Sequence, residues 1–235
     1  MYNILVCDDD KEIVKAIEIY LNKEGYNFLK TYNGEEALKV LKNNTIHLVI
    51  LDIMMPVKDG IETLNEIRKT ESIPVIMLSA KSEDEDKIKG LNLGADDYVT
   101  KPFNPLELIA RVNSGIRRYT KLNTVETKKS NIYKSGELIL DDGLKKVSVD
   151  GKDVKLTSTE FNILKFLIKN KGKVYSIDEI YQNVWGDDAY GVENVIAVHI
   201  RHIREKIEIN TKEPKYLKVI WGVGYKVENL PRRRS

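Results

Sequence analysis

The chain has 235 residues, 42% of them hydrophobic, a formal net charge of +2 and one cysteine, Cys7. No apolar stretch approaches the roughly 20 residues of a membrane span, and the opening MYNILVCDDD lacks the basic region and cleavage site of a secretory leader. A lone cysteine excludes an internal disulfide and fits a reducing cytoplasm.

The length allows one or two domains. Residues 1–120 carry 16 Lys+Arg against 20 Asp+Glu, whereas residues 121–235 carry 22 against 16. An acidic front and a basic back point to two jobs, with nucleic acid a candidate partner for the back.

In the front half, short apolar runs at Asn3–Cys7, Tyr26–Thr31, His47–Leu51, Pro74–Leu78 and Asp97–Thr100 read as strands. Segments of helical spacing lie between and after them, at Lys11–Glu24, Glu35–Lys42, Gly60–Lys69, Ser82–Leu93 and Pro105–Tyr119. Strands alternating with helices predict a five-stranded, doubly wound parallel sheet of α/β class. Ligands bind such sheets outside the carboxyl ends of the strands. Asp8, Asp9 and Asp10 follow the first run, Asp52 the third, Ser79 the fourth and Lys101 the fifth. Crowded carboxylates raise one another's pKa, and a hard cation such as Mg²⁺ relieves that with few protein oxygens. An ionised aspartate at such a place can act as a nucleophile and form an acyl phosphate. Lys101 would pair with phosphoryl oxygens, and Ser79 could donate to another. Singly, each residue has a plainer reading: Asp10 as a helix cap, Asp52 as a loop acid, Ser79 as a cap, Lys101 as a surface lysine. Their joint placement at successive strand ends favours a site.

CDDD, VILDIMMPVKDG, PVIMLSAK and GADDYVTKPF, with their spacing, resemble the receiver domain of bacterial response regulators. The resemblance implies a flavodoxin-like fold, Asp52 as phosphoacceptor, and Mg²⁺ held by Asp8, Asp9, Asp52 and the carbonyl of Met54. It also implies Ser79 and Tyr98 as switch residues beside Lys101, a sensor histidine kinase as phosphoryl donor, and a homodimer on phosphorylation. The expected dimer pairs are Lys87 with Glu107, Asp97 with Arg111, and Asp96 with Arg118. The alternative for these charges is a solvated face.

KLNTVETKKSNIYKS, at Lys121–Ser135, lacks apolar period and reads as a joint. Gly136–Leu156 alternates around DDG and DG turns, which predicts a small antiparallel sheet. Thr157 with Glu160 and Ser176 with Glu179 have capping-box spacing and open two helices. The loop WGDDAYG at Trp185–Gly191, a helix near Val192–Glu208 and a hairpin at Tyr216–Glu228 follow. LTSTEFNILKFL, VIAVHIRHIREKI and VIWGVGYKV resemble the winged helix-turn-helix of the OmpR/PhoB class, an α+β fold. The resemblance implies double-stranded promoter DNA as partner, met by Asn194, His199, Arg201, His202 and Arg204 on the third helix. Trp221 stands in the wing where many relatives carry arginine, leaving wing contact weaker, apolar, or moved to Lys218 and Lys226. The wing is similar to that of the VanR branch, which controls glycopeptide resistance. RNA polymerase contact through the Trp185–Gly191 loop is a further family expectation.

The expected division is a receiver at 1–120, a linker at 121–132, a winged-helix domain at 133–229 and a basic tail at 230–235. The expected role is a cytoplasmic, phosphorylation-controlled transcription regulator with no membrane partner, not a turnover enzyme. The alternatives are a regulator that ignores phosphorylation and a Mg²⁺-dependent aspartyl phosphatase. The phosphatase needs a second acid two residues after the nucleophile, where this chain has Met54.

Overall fold

Five parallel strands form the first sheet: β1 (Asn3–Cys7), β2 (Asn27–Thr31), β3 (Leu48–Asp52), β4 (Val75–Ala80) and β5 (Asp97–Lys101), in the order β2-β1-β3-β4-β5. The computed structural model describes residues 1–80, 94–123, 131–186 and 193–231. The helix expected at Ser82–Leu93, with Lys87, lies outside them, as do residues 187–191 of the WGDDAYG loop and the arginines of the tail.

Helices α1 (Lys11–Lys23), α2 (Gly34–Asn43), α3 (Gly60–Thr70) and α4 (Pro105–Asn123) pack on this sheet. The first three start where a short polar side chain satisfies open backbone N–H groups. Asp10 accepts from Glu12 and Ile13, Asn33 from Glu36, and Asp59 from Glu62. So Asp10 is a cap, as its plainer reading had it. Val14, Ile17 and Leu21 of α1 and Leu108, Ile109, Val112 and Ile116 of α4 meet Ile4, Val6, Leu48, Ile50, Ile76, Leu78 and Val99 of the sheet. Every residue of β3 is buried, including its terminal acid, Asp52. Among the described residues, no helix is long and apolar enough to cross a membrane.

The chain forms two compact units, Met1–Tyr119 and Thr120–Ser235. The stretch read as a joint is shorter than its polarity implied. Helix α4 continues to Asn123, and β6 (Ile132–Ser135) is already a strand. Tyr133 pairs with Leu140 and Ser135 with Leu138, so ladder hydrogen bonds order residues that carry little apolar signal.

The second unit opens with an antiparallel meander of β6, β7 (Leu138–Asp141), β8 (Lys146–Val149) and β9 (Lys152–Val154). Helices α5 (Ser158–Lys169), α6 (Ile177–Trp185) and α7 (Glu193–Ile207) follow, then the hairpin of β10 (Leu217–Ile220) and β11 (Gly224–Val227). Both predicted capping boxes are formed, at Thr157/Glu160 and Ser176/Glu179. The hairpin gains a third partner, since Tyr175 and Tyr225 exchange two backbone hydrogen bonds of 2.9 Å. Gly224 permits this approach: a Cβ there would lie 1.9 Å from the Tyr175 carbonyl oxygen, and its φ of 154° suits glycine.

Trp185 ends α6 and is 1% exposed, so it belongs to the core and not to the loop. Its ring stacks on Tyr181 at 4.8 Å. Trp185→Ala is expected to destabilise the second unit by about 3–5 kcal/mol, the usual cost of emptying an aromatic core site. Urea unfolding followed by circular dichroism checks this; a loss under about 1 kcal/mol would contradict the packing described.

Candidate functional site

Strand register assembles the first site. Cys7 is opposite Leu51 and Asp52 opposite Leu78, so the residues that end β1 and β3 share one rim with Ser79. Ser79 in turn is opposite Thr100, and Ala80 opposite Lys101. Asp52 and Lys101 are the last residues of their strands and Ser79 the next to last of its own, so all three lie within the strands, not beyond them.

Lys101 Nζ lies 2.7 Å from Asp8 Oδ2 and 2.8 Å from Asp52 Oδ1. One ammonium thus bridges two buried carboxylates. Asp9, exposed, completes a trio with Asp8 and Asp52 whose oxygens lie within 4.8 Å of one another. Among the described residues this is the one acidic cluster that could hold a metal ion. Its donors are all carboxylate oxygens, two on buried residues, and that set fits a hard divalent cation. Asp8 also accepts from the Asp10 backbone N–H at 3.0 Å, which fixes its carboxylate.

Burial pushes the Asp52 carboxyl up to about 6, against the hydrogen bond from Lys101, and the charges of Asp8 and Asp9 add to the push. Burial likewise raises Asp8. Burial opposes the charge on Lys101, but the two carboxylates it touches outweigh that and raise its pKa. The site is an acid kept near the edge of ionisation with a cation already pressed against it. Cys7 shares the rim, yet burial pushes its thiol up to about 12 and makes it a poor nucleophile.

Two glycines seat the loop after Asp52. The Gly60 N–H donates to Ile53 O at 2.9 Å, and a Cβ there would lie 2.0 Å from Asp52 O. The Gly34 N–H donates to Lys58 O at 3.1 Å, from the neighbouring helix start. Met54, which offers only a thioether, is exposed. Ser79 is buried and its Oγ has no hydrogen-bond partner among the described residues, so its donor is available. Tyr98 is buried as well.

Of the charged row expected at a dimer face, Glu107 is exposed and Arg111 half-buried, and Lys87 lies outside the described residues. Asp96, Asp97 and Arg118 are all buried within the protomer. Asp97 accepts from Arg111 at 2.7 Å, and Arg111 also contacts Glu107 at 2.9 Å. The pair expected between protomers is therefore already made inside one. Asp96 accepts from Arg68 at 2.8 Å and from the Val75 N–H at 2.9 Å. Arg118 donates to Ser114 at 2.7 Å. Arg68, which sequence reading passed over, also donates to Gly94 O and Ile73 O.

The second site is the outward side of α7. Arg201 is exposed there and makes an i,i+4 pair with Glu205 at 2.8 Å. Ala197 is exposed beside it and Val198 half-buried. The side chain of Asn194 lies outside the described residues. Two expected DNA contacts are corrected. His199 is 1% and His202 6% exposed, on the side of α7 that faces the core. His199 packs 6.0 Å from the Trp185 ring, and His202 Nδ1 lies 3.9 Å from Glu160 Oε1. Imidazoles so placed cannot reach a groove. Glu160 is buried and takes 2.6 Å from Lys206 while capping Thr157 at 2.8 Å, so these residues hold α7 to the start of α5.

Arg204 is half-buried, and its Nε donates to Leu217 O at 2.9 Å. Glu208 accepts from the backbone N–H groups of Lys215, Tyr216 and Leu217. Both join α7 to β10, and Arg204 works as a brace for the wing. In the hairpin, Lys218 is opposite Lys226, which pairs with Glu228 at 2.8 Å. Trp221 is 88% exposed at the tip.

Residues 4–113 match the response regulator receiver domain, and residues 151–227 match the transcriptional regulatory protein C-terminal domain. The chain is 44% identical over 226 residues to regulatory protein VanR of Enterococcus faecium, covering 96% of this chain and 98% of that protein. It is 42% identical over 231 residues to regulatory protein VanRc of Enterococcus gallinarum, with the same coverage. The crystal structure of response regulator DrrB, a Thermotoga maritima OmpR/PhoB homolog, is 37% identical and superimposes with a TM-score of 0.51, covering 97% of this chain and 99% of that one. A parallel-sheet unit ending in a Lys101-bridged acid pair, a winged-helix unit and full-length relatives give one conclusion: the chain belongs to the two-component response regulators of the OmpR/PhoB winged-helix class.

Proposed function

We propose that Asp52 accepts a phosphoryl group from a sensor histidine kinase in the cytoplasm and that this event controls DNA binding by the second unit. The observation that carries the reading is the single ammonium of Lys101 set between Asp8 and Asp52. A carboxylate oxygen of Asp52 attacks phosphorus, the new O–P bond forms, and the bond to the donor's imidazole nitrogen breaks with its electron pair on that nitrogen. Lys101 then has new oxygens to hold as the charge on Asp52 passes to the phosphoryl group. Asp8, Asp9, Asp52 and the Met54 carbonyl would hold Mg²⁺, whose chemistry is to neutralise the crowded charge during transfer. Ser79 has a spare donor for a phosphoryl oxygen, and Tyr98 would turn toward the space Ser79 leaves. A local charge event then biases a two-state face made by the helix expected at Ser82–Leu93, β5 and α4.

That face, with Lys87, Asp96, Asp97, Glu107, Arg111 and Arg118, would pair two protomers. In such a dimer Arg111 and Asp97 would exchange their bonds within the protomer for bonds across it, and charge placement would set the register. The paired receivers would place two winged helices on a direct repeat of promoter DNA, where the Trp185–Gly191 loop would meet RNA polymerase. Phosphatase turnover is disfavoured, since the thioether of Met54 has no proton to give a leaving group.

Arg201 on α7 is the side chain best placed for base edges, with Asn194 alongside and Lys218 and Lys226 for backbone phosphates. Duplexes selected from a random pool by the phosphorylated protein supply the test. Arg201→Ala is expected to weaken binding to the selected sequence by about 1–3 kcal/mol and to relax preference at one base pair. Equal affinity and equal preference would remove α7 from the recognition surface.

A further inference from the structure

The wing tip differs in character from its base. Residues 220–225 read Ile-Trp-Gly-Val-Gly-Tyr and contain no charge. Trp221 is 88% and Val223 57% exposed, and a Cβ added at Gly222 between them would meet nothing within 4 Å. Below the tip, Lys218 is directly opposite Lys226 in the ladder. Like charges opposite each other repel, and Glu228 relieves one of the two only. An anion laid across the pair would relieve the other. Charge at the base and bare apolar surface at the tip fit a polyanion with an apolar interior reached between its charged edges, which describes a duplex groove.

The hairpin is also tied to its neighbours below the tip. The Tyr175–Tyr225 exchange fixes β11, and Arg204 and Glu208 tie β10 to α7. These bonds join α7 and the base of the wing, so the tip is braced from below.

We infer that Trp221, with Val223 beside it, is a wedge that enters the minor groove and bends the duplex, while Lys218 and Lys226 grip the flanking phosphates. The inference rests on the reading of the second unit as a DNA binder and adds its mode. Apolar wedges of this kind unstack base steps and bend DNA, and pyrimidine–purine steps yield most easily. The wing then contributes specificity through deformability, at base pairs that no side chain reads by hydrogen bonds.

The protein holds two tryptophans, and Trp185 is buried, so emission that acrylamide quenches comes from Trp221. The full-length protein is titrated with two duplexes of about 30 base pairs, one with TA steps at its centre and one G·C-rich, each carrying a donor and an acceptor dye at its ends. Binding is read by anisotropy, bending by energy transfer, and Trp221 access by quenching. The expected result is that duplex shields Trp221 and shortens the end-to-end distance, more for the TA duplex. Trp221→Ala should bind several-fold more weakly and lose both the bend and the TA preference, while Trp221→Phe should keep most of the bend. Trp221 remaining fully quenchable at saturating duplex, or Trp221→Ala bending DNA as the parent does, overturns the wedge and leaves DNA binding standing. No anisotropy change with either duplex overturns DNA binding and the wedge together. Shielding that rises with protein concentration alone assigns the tip to a second copy of the chain and overturns the proposal.

Discussion

Asp52→Asn is expected to gain no phosphoryl group from any donor and yet to be relatively more stable than the parent as pH rises from about 4 to 6 in chelator. Burial raises the native Asp52 carboxyl from 3.8 to about 6. Between those values the native state holds a proton that the unfolded chain has released, so the parent loses stability as pH rises through the window. Asparagine does not titrate. The stability difference between variant and parent should therefore shift in the variant's favour by on the order of 2–3 kcal/mol across that window. The pH-independent part of losing an acceptor for Lys101 cancels in the comparison, and Asp8, freed of the like charge beside it, titrates lower in the variant and shifts the difference in the same direction. Urea unfolding at several pH values reads the difference. Mg²⁺ should reverse the trend for the parent by favouring the ionised trio. A flat difference across the window would mean that Asp52 is not the strained acid described.

Gly60→Ala should damage the same site without touching a reacting atom. The added Cβ would lie 2.0 Å from the carbonyl oxygen of Asp52 and 2.9 Å from its carbonyl carbon. Both are backbone atoms at the end of a fully buried strand, so no side chain can swing away. Either β3 or the start of α3 must shift, and the Gly60–Ile53 hydrogen bond goes with it. Overpacking of this sort costs about 1–3 kcal/mol. A displacement near 1 Å at a reacting carboxylate costs roughly a hundredfold in rate. Phosphorylation from a small donor, timed by intact mass, is expected to slow by roughly tenfold or more at saturating Mg²⁺. A variant labelled as fast as the parent would show that the loop is not seated as described.

The acids of the first site were legible because two periodicities place them. Apolar runs of strand length alternate with helical spacing, and such a topology forces Asp8, Asp52, Ser79 and Lys101 to one rim. No side-chain contact had to be known. What was not legible depends on distant partners. Arg68 is committed to Asp96, 28 residues on, and nothing local marks it. The same holds for Glu160, whose partner Lys206 is 46 residues away. The two histidines of α7 were misread for a different reason. His199 lies three residues after Ile196 and four before Ile203, and His202 seven after Val195, all of them buried. The spacing thus put both on the core side, but their polarity was given more weight than their position. The joint was overdrawn because Ile132–Ser135 joins a sheet through ladder hydrogen bonds that composition does not reveal.

The central claim is that Asp52 is phosphorylated and that phosphorylation drives assembly through the receiver. The measurement that tests it most directly is incubation of the full-length protein with a small phosphodonor and Mg²⁺, with and without chelator, read by intact mass and by size-exclusion chromatography. One added phosphoryl group, absent from the sample incubated with chelator and accompanied by a shift to dimer, is the predicted result. No added mass in the presence of Mg²⁺ would contradict the site, and a phosphorylated protein that elutes as a monomer would contradict the switch.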